Sequence, residues 1–166
     1  MRGTMMDFPL TVQPILERAG KLFSNVEIVS RRPDRSLKRT TYGEIYRRSR
    51  RLARALELAG MARGDRVATL MWNHSAHLEA YLGVPVAGGV LHTLNLRLHP
   101  DELAYIVNHA RDRYLIVDDV LLPVYESFRA KVGFERVFVV PFSGGKIPRA
   151  HENYEDFLSA AEDEFV

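Results

Sequence analysis

The stretch that decides the fold runs from Val67 to Val140 and alternates two kinds of segment. Short apolar runs stand at Val67–Met71 (VATLM), Val90–Thr93 (VLHT), Tyr114–Val117 (YLIV) and Arg136–Val140 (RVFVV). Between them lie segments of helical length and composition, His74–Ala87, Pro100–Ala110 and Leu122–Val132. Strands separated by helices pair in parallel through right-handed crossovers, which places helices on both faces of one sheet. The near-continuous apolar character of the strands is what burial on both faces requires. Asn73 is placed to cap the first of these helices, and Pro100, with Asp101 and Glu102 behind it, suits the first turn of the second.

Upstream, Thr41 and Glu44 form a T-x-x-E capping box, so a helix is predicted to start there. Ile45, Ser49, Leu52, Ala53, Leu56 and Ala59 make its inward stripe, and Gly60 is placed to take the left-handed conformation that ends it. Val26–Ser30 and Leu37–Thr41, separated by Arg32, Pro33, Asp34 and Arg35, read as a hairpin preceded by a helix over Thr11–Phe23. Downstream, Pro141–Asn153 reads as a loop, a short helix follows over Asn153–Ala161, and the sequence closes in Glu162, Asp163, Glu164, Phe165 and Val166. The expected fold is α/β: a mostly parallel sheet flanked by helices, doubly wound and Rossmann-like, with a short amino-terminal hairpin.

The 166 residues, 46% of them apolar and 27% charged, are enough for one globular domain that needs no disulfide or structural metal. Absence of cysteine excludes disulfide scaffolds, cysteine-ligated zinc and thiol catalysis. The most apolar stretch, Tyr81–Leu91, is broken by Pro85 and glycines well short of the roughly 18 residues that a membrane span needs. Asp7, Pro9, Gln13 and Pro14 interrupt the amino terminus where a signal peptide is continuously apolar, so a cytoplasmic protein is expected. Residues 31–66 carry a net charge of +8 and residues 101–166 a net −6. Arg47, Arg48, Arg50, Arg51 and Arg54 lack the aromatic series or DNA-binding motif that would accompany a nucleic-acid surface, and they read as a solvated helix face.

Several polar groups invite chemistry. His74 and His77, three apart with Glu79 nearby, resemble half of a metal site, but the H-E-x-x-H order is absent and the reading preferred here is helix-start histidines near solvent. Ser143-Gly144-Gly145-Lys146 is a weak phosphate cradle, since Ile147 stands where a nucleotide-binding loop has Ser or Thr. Asp118 and Asp119 follow a strand end, either as ligands or as a turn pair. His92, Asn95 and Arg97 lie on and after a strand whose carboxyl edge would line a binding crevice. No nucleophile elbow or paired-carboxylate motif names a catalytic group.

Read in order, several blocks resemble the amino-terminal part of AMP-forming acyl-CoA ligases, the adenylate-forming superfamily that includes fatty acyl-CoA synthetases and luciferase. They are Thr40-Thr41-Tyr42 with Glu44, Gly60 to Ala68, Trp72-Asn73, His77 to Tyr81, Gly88 to Leu98, Glu102 to Ala110 and Tyr154 to Leu158. The His-Thr-Leu-Asn-x-Arg-Leu form is most similar to the branch that activates medium- or long-chain fatty acids. The resemblance implies a parent enzyme that joins a fatty acid to ATP as an acyl-adenylate and passes it to CoA, with ATP, magnesium and CoA as its cofactors. The Ser/Thr/Gly-rich phosphate loop, the acidic metal-binding motif and the carboxyl-terminal lysine of that family have no counterpart in residues 1–166. Residues 1–166 are therefore expected to be an amino-terminal subdomain of the large domain, inactive alone and without catalytic or metal-binding residues of its own. The resemblance also implies that Asn95, Leu96 and Arg97 lie near the CoA pantetheine channel, and that this part can contribute to homodimer contacts. A freestanding α/β module that binds a nucleotide, CoA or an acyl group without catalysis is the alternative; a nucleic-acid or anionic-surface binder using the arginine-rich helix is the third reading, set behind the other two, so no nucleic-acid partner is expected.

Overall fold

A computed structural model describes residue 8 and residues 10–162; the acidic close at residues 163–166 and the first seven residues lie outside the described ones. Helix α1 (Gln13–Leu22) leads into an antiparallel hairpin of β1 (Glu27–Arg31) and β2 (Leu37–Thr41), in which Ser30 faces Lys38. The capping box then forms as the sequence requires: Glu44 N–H donates to Thr41 Oγ1 at 3.3 Å and Thr41 N–H to Glu44 Oε2 at 2.8 Å, starting α2 (Tyr42–Leu58). Gly60, at φ 86°, ends that run in the left-handed conformation.

The remaining elements alternate as expected: β3 (Arg66–Leu70), α3 (Ser75–Val86), β4 (Val90–Thr93), α4 (Pro100–Ala110), β5 (Tyr114–Asp118), α5 (Leu122–Phe128), β6 (Arg136–Val140), β7 (Glu152–Asn153) and α6 (Tyr154–Ser159). The sheet runs β4-β3-β5-β6-β7 with every pair parallel. Residues alternate between two cores. Val67, Tyr114, Ile116, Phe138 and Val140 face α2, α3 and α6, whereas Ala68, Leu70, Leu115, Val117 and Val139 face α4 and α5. The winding therefore reverses between β3 and β5, since β3 leads outward to β4 and the chain returns across the other face.

Four expectations need correction. Asn73 is exposed and does not cap α3; His74 is the cap residue without a side-chain bond, and Ser75 N–H donates to Ser30 Oγ of the hairpin at 3.0 Å. The strand Val90–Thr93 is not buried on both faces, because it forms the sheet's edge and Val90 stays exposed. The helix expected over Leu122–Val132 shortens to seven residues between 3-10 turns at Asp119–Leu121 and Arg129–Lys131. Asn108 Nδ2 donates to the Lys131 carbonyl, and Val132 N–H donates to the Arg129 carbonyl in an i to i+3 bond that ends the helical ladder. Finally, Glu152–Asn153, read as loop, pairs with Phe138 and Val139, held there by the Arg136–Glu152 ion pair.

Arg48, read as part of a solvated face, ties three helices together. Its Nε meets Glu79 of α3 at 2.7 Å, and its two terminal nitrogens grip Glu155 of α6 at 2.8 and 2.9 Å. Glu79 is 1% exposed and also accepts from the Tyr154 hydroxyl at 3.0 Å. Burial pushes the Glu79 carboxyl up, against the pull of Arg48 and Tyr154, and it pushes the Tyr154 hydroxyl well above its usual range. Burial alone would lower Arg48, but its bonds to Glu155 and Glu79 raise it, so it stays charged. Helix α2 also lies close on α3, where Gly83 admits the Ser49 carbonyl.

Three outcomes follow. Ser49 Oγ is buried without a partner, so Ser49→Ala is expected to raise unfolding free energy by about 1 kcal/mol in urea titration. A Cβ at Gly83 would meet that carbonyl at 2.6 Å, so Gly83→Ala is expected to lower it by about 1–3 kcal/mol despite alanine's better helix propensity. Arg48→Ala, which strands Glu79, is expected to cost about 3–5 kcal/mol at pH 7. A carboxyl raised by folding favours the fold below its ordinary value of 4.5 and loses that contribution as pH rises through the folded value. The deficit of the variant should therefore shrink on acidification toward that value; a deficit independent of pH would contradict the buried-charge account.

Candidate functional site

In open parallel sheets, ligands sit beyond the carboxyl ends of the strands at the point where the winding reverses. Here that point lies between the end of β3, with Trp72 and His74 just after it, and the end of β5, which is Asp118. Asp118 is fully buried and accepts from Trp72 N–H at 2.7 Å and from His74 Nε2 at 2.9 Å. The His74 ring stacks on Phe142 at 4.1 Å, so three strand ends meet around one carboxylate. Trp72 itself remains 49% exposed at the rim.

The sequence-level candidates separate on this frame. Asp118 is a buried brace, whereas Asp119 accepts from the backbone N–H and hydroxyl of Ser143 and fastens the loop after β6. That loop is no phosphate cradle: its Gly145 N–H donates to Ser143 Oγ and Gly144 N–H to the Pro141 carbonyl, and the Asp119 carboxylate lies against it. His74 and His77 are not helix-start histidines near solvent, since both are buried. His77 Nδ1–H donates to the Trp72 carbonyl at 3.2 Å, which leaves Nε2 to accept from the Thr69 hydroxyl at 3.0 Å. Burial, with His74 nearby, lowers its pKa, so it is a neutral core histidine. With Glu79 held by Arg48, the metal reading has no ligands left, and no cluster of three metal-ligating side chains exists among the described residues.

Beyond β4, Leu94 N–H bonds to the Thr69 carbonyl and continues the sheet by one residue. Asn95 Oδ1 then accepts from Arg97 N–H at 3.1 Å, closing a turn that leaves the Asn95 and Arg97 side chains exposed while Leu96 packs on the α4–α5 core. Asn95 Nδ2 and the Arg97 guanidinium thus face solvent at the crevice side of the sheet. His92 is set apart from them: its Nδ1 pairs with both oxygens of Asp112, at 2.8 and 3.0 Å, near the amino end of β5. Burial raises the Asp112 carboxyl, with His92 opposing. The His74–Asp118 brace escaped sequence reading, although an acidic residue ending one parallel strand beside a histidine after its neighbour carries the signal.

Comparison with known proteins adds what the geometry alone does not. A family model described as AMP-binding enzyme matches residues 16–156. A long-chain-fatty-acid–CoA ligase of Thermus thermophilus is 48% identical over 161 residues, covering 97% of this chain and 29% of that protein. A medium-chain-fatty-acid–CoA ligase of Ectopseudomonas oleovorans is 32% identical over 170 residues, with 100% and 31% covered. Among solved structures, the anthranilate CoA ligase AuaEII in complex with anthranoyl-AMP superposes with a TM-score of 0.83 at 24% identity, over 96% of this chain and 30% of that one, a likeness of fold. The chain thus spans less than a third of the length of these relatives.

Because the folded His77 pKa lies below its ordinary value of 6.5, the unfolded chain binds the extra proton first and stability should fall as pH drops below that value. Imidazole NMR is expected to show His77 as the Nδ1–H tautomer, unprotonated at pH 6.5. A His77 signal titrating at its ordinary value would overturn the assignment.

Proposed function

The chain belongs to the AMP-binding enzyme family, and from that membership we propose that it forms the amino-terminal part of a fatty-acid–CoA ligase. The observation that supports this most is the match over nearly the whole chain to fatty-acid ligases of two chain-length classes. The reaction would activate a medium- or long-chain carboxylate as its adenylate and transfer the acyl group to CoA sulfur. Within it, residues 1–166 supply a rigid wall and no reacting group. Magnesium finds no fit here, as no metal-ligating cluster exists among the described residues, and no step is assigned to it. No described helix is long and apolar enough to cross a membrane.

For CoA the fit is better. Asn95 Nδ2 is an exposed donor suited to the amide carbonyls of a pantetheine arm, and Arg97 offers a cation beside it. Their turn is set by Leu96, which is anchored in the core, so the two polar side chains would be presented with little rearrangement.

Purified residues 1–166 are expected to give no ATP- and CoA-dependent thioester; turnover by this chain alone would sink the proposal. In the reading frame extended to the length of its relatives, turnover with fatty acids is expected. There, Arg97→Ala should raise KM for CoA about tenfold while leaving acid-dependent pyrophosphate exchange unchanged, as loss of one charge-assisted hydrogen bond predicts. An unchanged KM for CoA would remove Arg97 from the channel.

A further inference from the structure

Between the hairpin and the start of α3 lies a cavity of about 120 Å³, with Ser30, Arg32, Lys38, His74 and Ser75 in its wall and Gly144 at its lip. Lys38 stands opposite Ser30 in the hairpin register, and Arg32 lies two residues beyond Ser30, so the three side chains share one face. That face is the one turned to α3, because Ser30 Oγ accepts Ser75 N–H there. Arg31 leaves by the opposite face.

Among the described residues, neither Arg32 nor Lys38 forms an ion pair within 4 Å; Asp34 acts on Arg32 only at longer range, and its carboxylate accepts Ser36 N–H at 2.9 Å. Glu155 also lines the cavity, but both of its oxygens are engaged by Arg48. Two cations without a hydrogen-bonded carboxylate thus line, from one hairpin face, a concave and partly enclosed space in which the lining carboxylate, Glu155, is already paired. Their mutual repulsion in such a space is relieved by an anion. The volume is well below the roughly 300 Å³ at which pockets begin to hold whole small-molecule ligands, which suits a single tetrahedral group.

We propose that this cavity binds a phosphate-type oxyanion, held by Arg32 and Lys38 against the Ser30–Ser75 wall. The proposal is independent of the ligase reading. The anion is either free orthophosphate or the phosphoryl end of a larger molecule, and AMP serves to separate these sources.

The test is titration of the 166-residue chain with orthophosphate at constant ionic strength, followed by amide NMR. Saturable shifts are expected at Ser75, Ala76 and Gly144. Arg32→Ala and Lys38→Ala, both exposed, should each weaken binding about tenfold, the loss of one charge-assisted hydrogen bond. Arg31→Ala removes the same charge from the other face and should change affinity by less than about twofold, as for an unpaired surface charge. Tighter binding of AMP at the same amides would identify a phosphoryl end, and tighter binding of orthophosphate the free ion. Shifts that never saturate, or equal losses in all three variants, would overturn the proposal by showing a general charge effect.

Discussion

One guanidinium sets the relation of three helices in this structure. Arg48 reaches from α2 to Glu79 on α3 and Glu155 on α6, and without it a carboxylate would lie in the core beside the apolar residues that join those helices to the sheet. The fork geometry matters, since Nε serves one carboxylate while the two terminal nitrogens serve the other; lysine could not span both in that plane. The Tyr154 hydroxyl completes the shell of Glu79. On the same pair of helices, the missing side chain of Gly83 allows α2 and α3 to approach closely enough for Gly83 to lie against the Ser49 carbonyl.

The order of elements was legible because periodicity and termination agree along the chain. Thr41 with Glu44 and Pro100 with its acidic followers act within one helical turn, so their signal survives folding unchanged. Three of the misreadings share one cause, a partner distant in sequence. Asn73 yields its capping role because the acceptor for Ser75 N–H comes from Ser30, 45 residues before Ser75. Glu152–Asn153 becomes a strand because β6 offers an edge and Arg136 a countercharge. Arg48 looks like its neighbours until Glu79 and Glu155 are brought to it.

The candidate site was less legible than the fold. Asn95 and Arg97 lie exposed in the turn after β4, whereas His92, on that strand, turns to Asp112. Alternation across a strand separates neighbours that a linear motif groups together. Asp118 and Asp119, adjacent in sequence, likewise divide between a buried brace and a surface fastening. The family assignment carries the chemistry that the residues by themselves do not.

The bond between Arg48 and Glu155 closes a span of 107 residues and also has a meaning in time. A chain made from its amino terminus presents α2 and α3 long before Tyr154 and Glu155 leave the ribosome. Until then Glu79 has Arg48 but lacks the Tyr154 hydroxyl, and Arg48 lacks Glu155. In vectorial synthesis α6 is thus the last of these three helices to arrive, and it acts as a latch that completes the polar shell of Glu79.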